Sequence, residues 1–175
     1  MIRAMADAPV RAAGLRASGV RVSVARSGRH AGVPSRRAFE QWAAAALGAR
    51  GPRRDVSLLL VGPARSRALN RLYRGKDAPT NVLSFAPAAG VDVEDGAPLL
   101  GDLVICPQVL RTEARVQRKR VRDHWAHLFV HGLLHLTGYD HERAADARRM
   151  EGREVRILRR LGIANPYRSI PDGSQ

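Results

Sequence analysis

The sequence predicts an α+β fold: a single domain with a small mixed β-sheet packed by several helices, and a metal site on a helix-turn segment. Three observations predict it. Strand-like segments interleave with helix-like ones, and two strands follow each other between residues 81 and 105, which argues for a mixed sheet rather than a purely parallel one. A length of 175 residues suits one domain whose core needs no disulfide. Finally, His131-Gly-Leu-Leu-His135-Leu-Thr-Gly138-Tyr-Asp-His141 reads as a helix, a glycine turn and a returning chain that carry three imidazoles.

Taken in order, residues 1–19 read as a poorly ordered tail, without the apolar core of a secretory leader. Val20–Val24 alternates apolar and polar residues and suits a half-buried strand. Pro34 and Ser35 open a helix that runs to Leu47, where Gly48 and Gly51 stop it. Asp55–Val61 is a second strand, buried at its apolar end. Gly62-Pro63 begins a helix whose Ala64, Ala68, Leu69 and Leu72 keep a helical period. A polar turn-rich loop, Arg74–Thr80, precedes a short strand, Asn81–Phe85, and a Pro/Gly/acidic loop up to Pro98. Leu99–Ile105 is the next strand, and Pro107 starts a helix to about Arg118. After a basic break, Asp123–Leu136 forms the helix with the first two histidines of the motif. The last helix, about Arg143–Leu161, turns Ala147, Met150, Val155, Leu158 and Leu161 inward, and Asn165-Pro-Tyr closes the domain. The domain therefore spans 20–167, and 168–175 is a tail.

Lys and Arg together number 30 against 16 Asp and Glu, a formal charge of +14, mostly from arginine. Such an excess suits a polyanionic partner, although an arginine-heavy composition alone also produces it. No apolar run approaches the roughly 18 residues needed to cross a bilayer, so no membrane partner is expected. Cys106, the single cysteine, lies in the apolar run Leu103-Val-Ile-Cys-Pro and reads as a buried thiol.

Histidines four apart on a helix point about 40° apart, roughly 6 Å along its axis, and can share one ion. Gly138 allows the chain to return so that His141 closes the set. Three imidazoles and an open position are the catalytic form of a zinc site, so one Zn²⁺ held by His131, His135 and His141 is expected. This spacing is also the metal frame of metzincin peptidases, which carry glutamate as general base directly after the first histidine. Here that position is Gly132, which reads against peptide hydrolysis. Asp140 and Glu142 flank the third histidine as possible acceptors for an imidazole N–H, or as solvated turn carboxylates. His127 shares the metal-facing side and reads as a residue behind the ligands or facing a polyanionic partner. His124 reads as packed or solvent-facing, and His30 as a loop residue without function.

Several segments in order resemble one family. Asn70-Arg-Leu-Tyr-Arg-Gly-Lys-Asp-Ala-Pro-Thr-Asn-Val-Leu-Ser-Phe85 is similar to its central signature, and Leu100-Gly-Asp-Leu-Val-Ile-Cys106 to its next strand. His124-Trp-Ala-His-Leu-Phe-Val-His131-Gly-Leu-Leu-His135-Leu-Thr-Gly-Tyr-Asp-His141-Glu resembles its metal helix, and Pro166-Tyr167 its terminal element. The chain thus resembles the YbeY family, bacterial metal-dependent endoribonucleases of ribosomal RNA maturation. One departure is local: Ala86 stands before Pro87, where the family commonly has proline directly after the Ser-Phe pair.

The resemblance implies zinc at His131, His135 and His141, with His131 the histidine most tied to activity, and Arg74 as the arginine of the substrate cleft. From composition alone, Arg74 and Lys76 read as a solvated basic loop. With the resemblance, Arg74 becomes a bidentate clamp for the scissile phosphate and Lys76 a contact to a neighbouring one. Asp77 and Thr80 read as residues that shape the loop. The implied function is single-strand-specific cleavage of ribosomal RNA at the 16S 3′ end, with ribosome quality control, in the cytoplasm. RNA and the small ribosomal subunit are the expected partners; DNA is not. The alternative is a non-catalytic, zinc-stabilised assembly factor that binds the small subunit.

Overall fold

The computed structural model describes residues 19–48, 53–87, 97–139 and 143–168. The expected tails, apart from Gly19 and Arg168, and most of the Pro/Gly/acidic loop lie outside the described residues, as do Asp140, His141 and Glu142. β1 (Val20–Arg26) leads through α1 (Arg36–Leu47) to β2 (Arg54–Leu60), and α2 (Pro63–Arg74) leads to β3 (Val82–Phe85). β4 (Leu99–Ile105), α3 (Pro107–Val116), α4 (Val121–Leu136) and α5 (Ala144–Arg160) follow.

The sheet order is β1-β2-β4-β3. β1 and β2 pair in parallel, as do β2 and β4, while β3 runs antiparallel to β4 at the edge. The mixed sheet expected from the consecutive strands is therefore present, in a single α+β domain. β1 runs two residues past the alternating stretch because pairing with β2 continues to Arg26↔Leu60, and Ser27 N–H then donates to the Leu60 carbonyl.

Alternate residues of the central strands divide two apolar layers. Leu58, Leu60, Leu103 and Ile105 face α1, α4 and α5, whereas Leu59, Leu83 and Val104 face Leu69 of α2 and Val109 of α3. Ser35 caps α1 by accepting from the Ala38 N–H at 3.3 Å, and Phe39, Trp42, Ala43 and Ala46 bury its inner face. Phe39 lies 5.0 Å from Phe129 and 5.8 Å from Trp125, ring centre to ring centre, which locks α1 onto α4. α4 is the central helix, buried on most of its circumference, so its sequence shows little amphipathic contrast.

The inward face of α5 differs from the expected one. Met150, Glu154, Ile157 and Leu158 are buried, while Val155 is only half-buried. A charged residue occupies the position four residues after Met150 and four before Leu158.

Candidate active site

α4 presents His124, His127, His131 and His135 at steps of three and four residues, hence along one stripe of the helix. His131 and His135 come together: their Nε2 atoms are 3.2 Å apart and their ring centres 4.7 Å apart. The His127 ring centre lies 6.3 Å from that of His131. The helix stops after Leu136. Gly138, at φ +87°, adopts the left-handed conformation that the expected turn requires, with its N–H on the His135 carbonyl and the Tyr139 N–H on that of Leu134.

Two residues that sequence reasoning assigned no role complete the surroundings of His131. Glu154 of α5 is fully buried, and its Oε1 is 2.7 Å from His131 Nδ1. Its Oε2 accepts from the Tyr167 hydroxyl and lies 3.6 Å from His127 Nε2, just beyond hydrogen-bond range. Burial alone would raise the Glu154 pKa. The nearby His127 and the hydrogen bonds from His131 and Tyr167 outweigh it and hold the carboxyl at about 2. Burial likewise pushes the His127 imidazole below its ordinary value, against the pull of Glu154. Tyr167 stays in place because Lys119 Nζ donates to the Pro166 carbonyl at 2.6 Å, and its ring stands edge-on to His127 at 5.5 Å. The available signal for Glu154 was its interruption of the apolar stripe of α5.

His124 is 3% exposed, with Nε2 3.0 Å from Glu113 Oε2. Glu113 also accepts from Asn81 Nδ2 at 3.0 and 2.9 Å. His124 thus ties α4 to α3 and to the start of β3.

Arg74 is the last residue of α2, and Lys76 follows Gly75; both are exposed. They belong to the opposite face of the sheet from α4. The edge strand links the two sides. Ser84 Oγ donates to the Gly132 carbonyl at 3.2 Å beside His131, and the next residue, Phe85, meets the Tyr73 ring at 4.9 Å beside Arg74. The loop between α2 and β3 is tied down locally. Ser66 Oγ donates to the Thr80 carbonyl at 2.7 Å and accepts its N–H at 2.9 Å, Asn70 Nδ2 donates to the Ala78 carbonyl at 2.8 Å, and Arg67 clamps Asp77 with two bonds of 2.8 and 2.6 Å. Asp77 and Thr80 therefore shape this loop, as their residue types predict. Asp77 is taken by Arg67, and Arg74 and Lys76 pair with no carboxylate among the described residues.

Among the described residues, no group of three or more His, Cys, Asp or Glu is arranged to hold a metal; the expected His141 lies outside them. The His131–His135 pair itself fits zinc. Two nitrogens bound at about 2.0–2.1 Å in a tetrahedron lie about 3.3 Å apart, close to the observed separation.

The family model described as Endoribonuclease YbeY matches residues 32–162, three-quarters of the chain and every helix of the site. The chain belongs to the YbeY endoribonuclease family. It is 54% identical over 140 residues to Endoribonuclease YbeY of Alkalilimnicola ehrlichii, covering 79% of this chain and 84% of that protein. Endoribonuclease YbeY of Methylococcus capsulatus is 53% identical over 140 residues, with 79% and 89% covered. The Neisseria meningitidis serogroup B protein of that name is 48% identical over 139 residues, with 78% and 82% covered. A solution structure of a Thermotoga maritima protein superposes with a TM-score of 0.49 at 23% identity, over 89% of this chain and 99% of that one. Membership in the YbeY family places the chain among RNA-cleaving hydrolases. Among the described residues, no helix is long and apolar enough to cross a membrane.

Proposed function

We propose that this protein is a zinc-dependent, single-strand-specific endoribonuclease of ribosomal RNA, acting in the cytoplasm on the 16S 3′ end during maturation and in ribosome quality control. The observation that carries the metal part is the pair of Nε2 atoms of His131 and His135, 3.2 Å apart on one helix face. His131, His135 and His141 would hold one zinc ion, which lowers the pKa of water and polarises a phosphoryl oxygen when bound.

The remaining work falls to the chain's own groups. Arg74 clamps the scissile phosphate through two parallel N–H donors and stabilises the charge that grows on its oxygens. Lys76 contacts a neighbouring phosphate as a point charge. Both are available because Asp77, the nearest acid in sequence, is held by Arg67. The formal charge of +14 favours the polyanion over its neutral competitors.

The test compares wild type with Arg74→Ala and His131→Ala, purified side by side, for zinc content and for cleavage of a single-stranded 16S 3′ fragment. Cleavage lost in both folded variants, with zinc lost only in the second, is expected. Undiminished cleavage by both sinks the proposal, since a contaminating nuclease would produce that result. The absence of a proton acceptor at Gly132 favours one second reading, a zinc-stabilised assembly factor. It predicts small-subunit association that survives Arg74→Ala and no cleavage by any of the three proteins.

A further inference from the structure

Glu154 is a carboxylate that the fold buries completely and that pairs with no lysine or arginine among the described residues. Its polar neighbours are two histidines of α4 and one tyrosine from the C-terminal segment. A buried carboxylate is costly unless hydrogen bonds and a counter-charge compensate it. The hydrogen bonds are present, and their directions constrain the chemistry of His131.

At 2.7 Å from Oε1, His131 Nδ1 is placed to donate its proton to a carboxylate whose other oxygen already accepts from the Tyr167 hydroxyl. The Nε2 lone pair is then left facing His135 Nε2. The second carboxylate oxygen is engaged by the Tyr167 hydroxyl, which prevents the carboxylate from rotating away. Pro166, held by Lys119, fixes that tyrosine.

We propose that Glu154 is a positioning residue for His131: it selects the tautomer and ring orientation that direct Nε2 at the metal position, with Tyr167 holding the carboxylate in place. The inference rests on the zinc reading for its purpose, though not for its geometry. A dication bound by neutral imidazoles carries uncompensated charge, and a buried carboxylate one imidazole away supplies part of the balance. Such a partner also raises the basicity of the ligating nitrogen.

A purely structural Glu154 would tie α5 to the C-terminal segment and leave His131 indifferent to its tautomer. The two roles separate in nitrogen NMR of the His131 ring in the metal-free full-length protein, combined with zinc affinity by chelator competition. Wild type is expected to show the Nδ1–H form. Glu154→Met keeps the volume and removes the acceptor. It is expected to shift His131 toward the Nε2–H form and to weaken zinc about 10- to 100-fold. Glu154→Gln retains an acceptor without the charge, so it should keep the tautomer and weaken zinc less. Tyr167→Phe should keep the tautomer with a smaller loss.

An Nε2–H form in wild type overturns the proposal whether or not any variant folds. So does a folded Glu154→Met protein with unchanged tautomer and zinc affinity within twofold of wild type. A wild type that shows the Nδ1–H form yet binds no zinc sinks the zinc reading, and leaves Glu154 as the residue that orients His131.

Discussion

A Cβ built on Gly132 would lie 2.7 Å from Leu103 Cδ2, with Ser84 Oγ at 3.3 Å and Val82 Cγ2 at 3.4 Å. α4 approaches β3 and β4 so closely here that no side chain fits without a shift. Metzincins place their catalytic glutamate at this step of the motif. In this fold the same position points into the sheet, so the lack of a base is a packing requirement and not merely a sequence difference. Gly132→Ala should therefore destabilise by about 1 kcal/mol, an overpacking cost of ~1–3 kcal/mol partly offset by alanine's helix preference of ~1 kcal/mol. Gly132→Glu should lose more, because it also buries a carboxylate, and should gain no peptidase activity. Urea unfolding midpoints at constant slope report both; a neutral Gly132→Glu protein would contradict this account.

Much of this was legible in the chain because local chemistry and tertiary packing agree. Ser35, Gly48, Pro63 and Gly138 mark helix ends by backbone rules that act within a few residues, and the structure places an end at each. The His131–His135 pair was legible because a helix fixes the geometry of residues four apart. Glu154 was not. Its partners lie 13, 23 and 27 residues away, and a glutamate on an arginine-rich helix looks solvated until α5 is docked on α4. Arg74 is the converse case. The helix before it is legible, but the sequence reading begins the loop at Arg74 whereas α2 keeps that residue as its last, and its relation to the histidines passes through the edge strand residues Ser84 and Phe85, which no local pattern announces.

Ser66 should control the loop that carries Lys76. It is 2% exposed and satisfies both the N–H and the carbonyl of Thr80. Ser66→Ala removes both bonds and should cost about 1–2 kcal/mol, within the range for buried groups that lose a partner. A loosened loop should raise KM for RNA more than it lowers kcat. Steady-state kinetics on a short single-stranded RNA separate the two, and an unchanged KM would show that the loop's position is immaterial to binding.

Acid should weaken the junction of α3, α4 and β3. Burial favours the neutral form of Glu113, but hydrogen bonds from His124 and Asn81 outweigh it and hold the pKa below its ordinary value. A carboxyl depressed by folding contributes stability above its unfolded pKa of about 4.3, and loses that contribution as pH falls through the lower folded value. The stability advantage of wild type over Glu113→Gln should therefore be full near neutrality and shrink below about pH 4.3. Thermal unfolding across this range checks it; a gap that widens on acidification would reverse the sign.

Zinc should stabilise the fold through the two histidines of α4. At about 100 times Kd, a ligand bound only by the folded state adds ~2.7 kcal/mol. For a domain of this size that corresponds to roughly 5–10 °C in Tm. Chelation should remove the increment from wild type, while His135→Ala should melt at the same temperature with zinc or chelator. The comparison needs no RNA, so it tests the metal apart from the chemistry. Equal zinc-induced shifts in both proteins would place the ion elsewhere.

Arg74 and Lys76 should act on RNA as phosphate contacts, which gives them a signature distinct from a structural role. Each phosphate neutralised on a single strand contributes about −0.7 to the slope of log K against log salt. Arg74→Ala and Lys76→Ala should each make the slope shallower by about that amount, equally for unrelated single-stranded sequences. They should differ in catalysis. A bidentate clamp on the reacting phosphate stabilises the transition state, so Arg74→Ala should lower kcat as well as affinity. A contact to a neighbouring phosphate binds ground state and transition state alike, so Lys76→Ala should raise KM with kcat nearly intact. Arg74→Lys discriminates further: it keeps the charge and the salt slope but loses the planar fork, and should recover affinity without recovering kcat. An Arg74→Lys enzyme with wild-type kcat would reduce Arg74 to a generic positive charge at the end of α2.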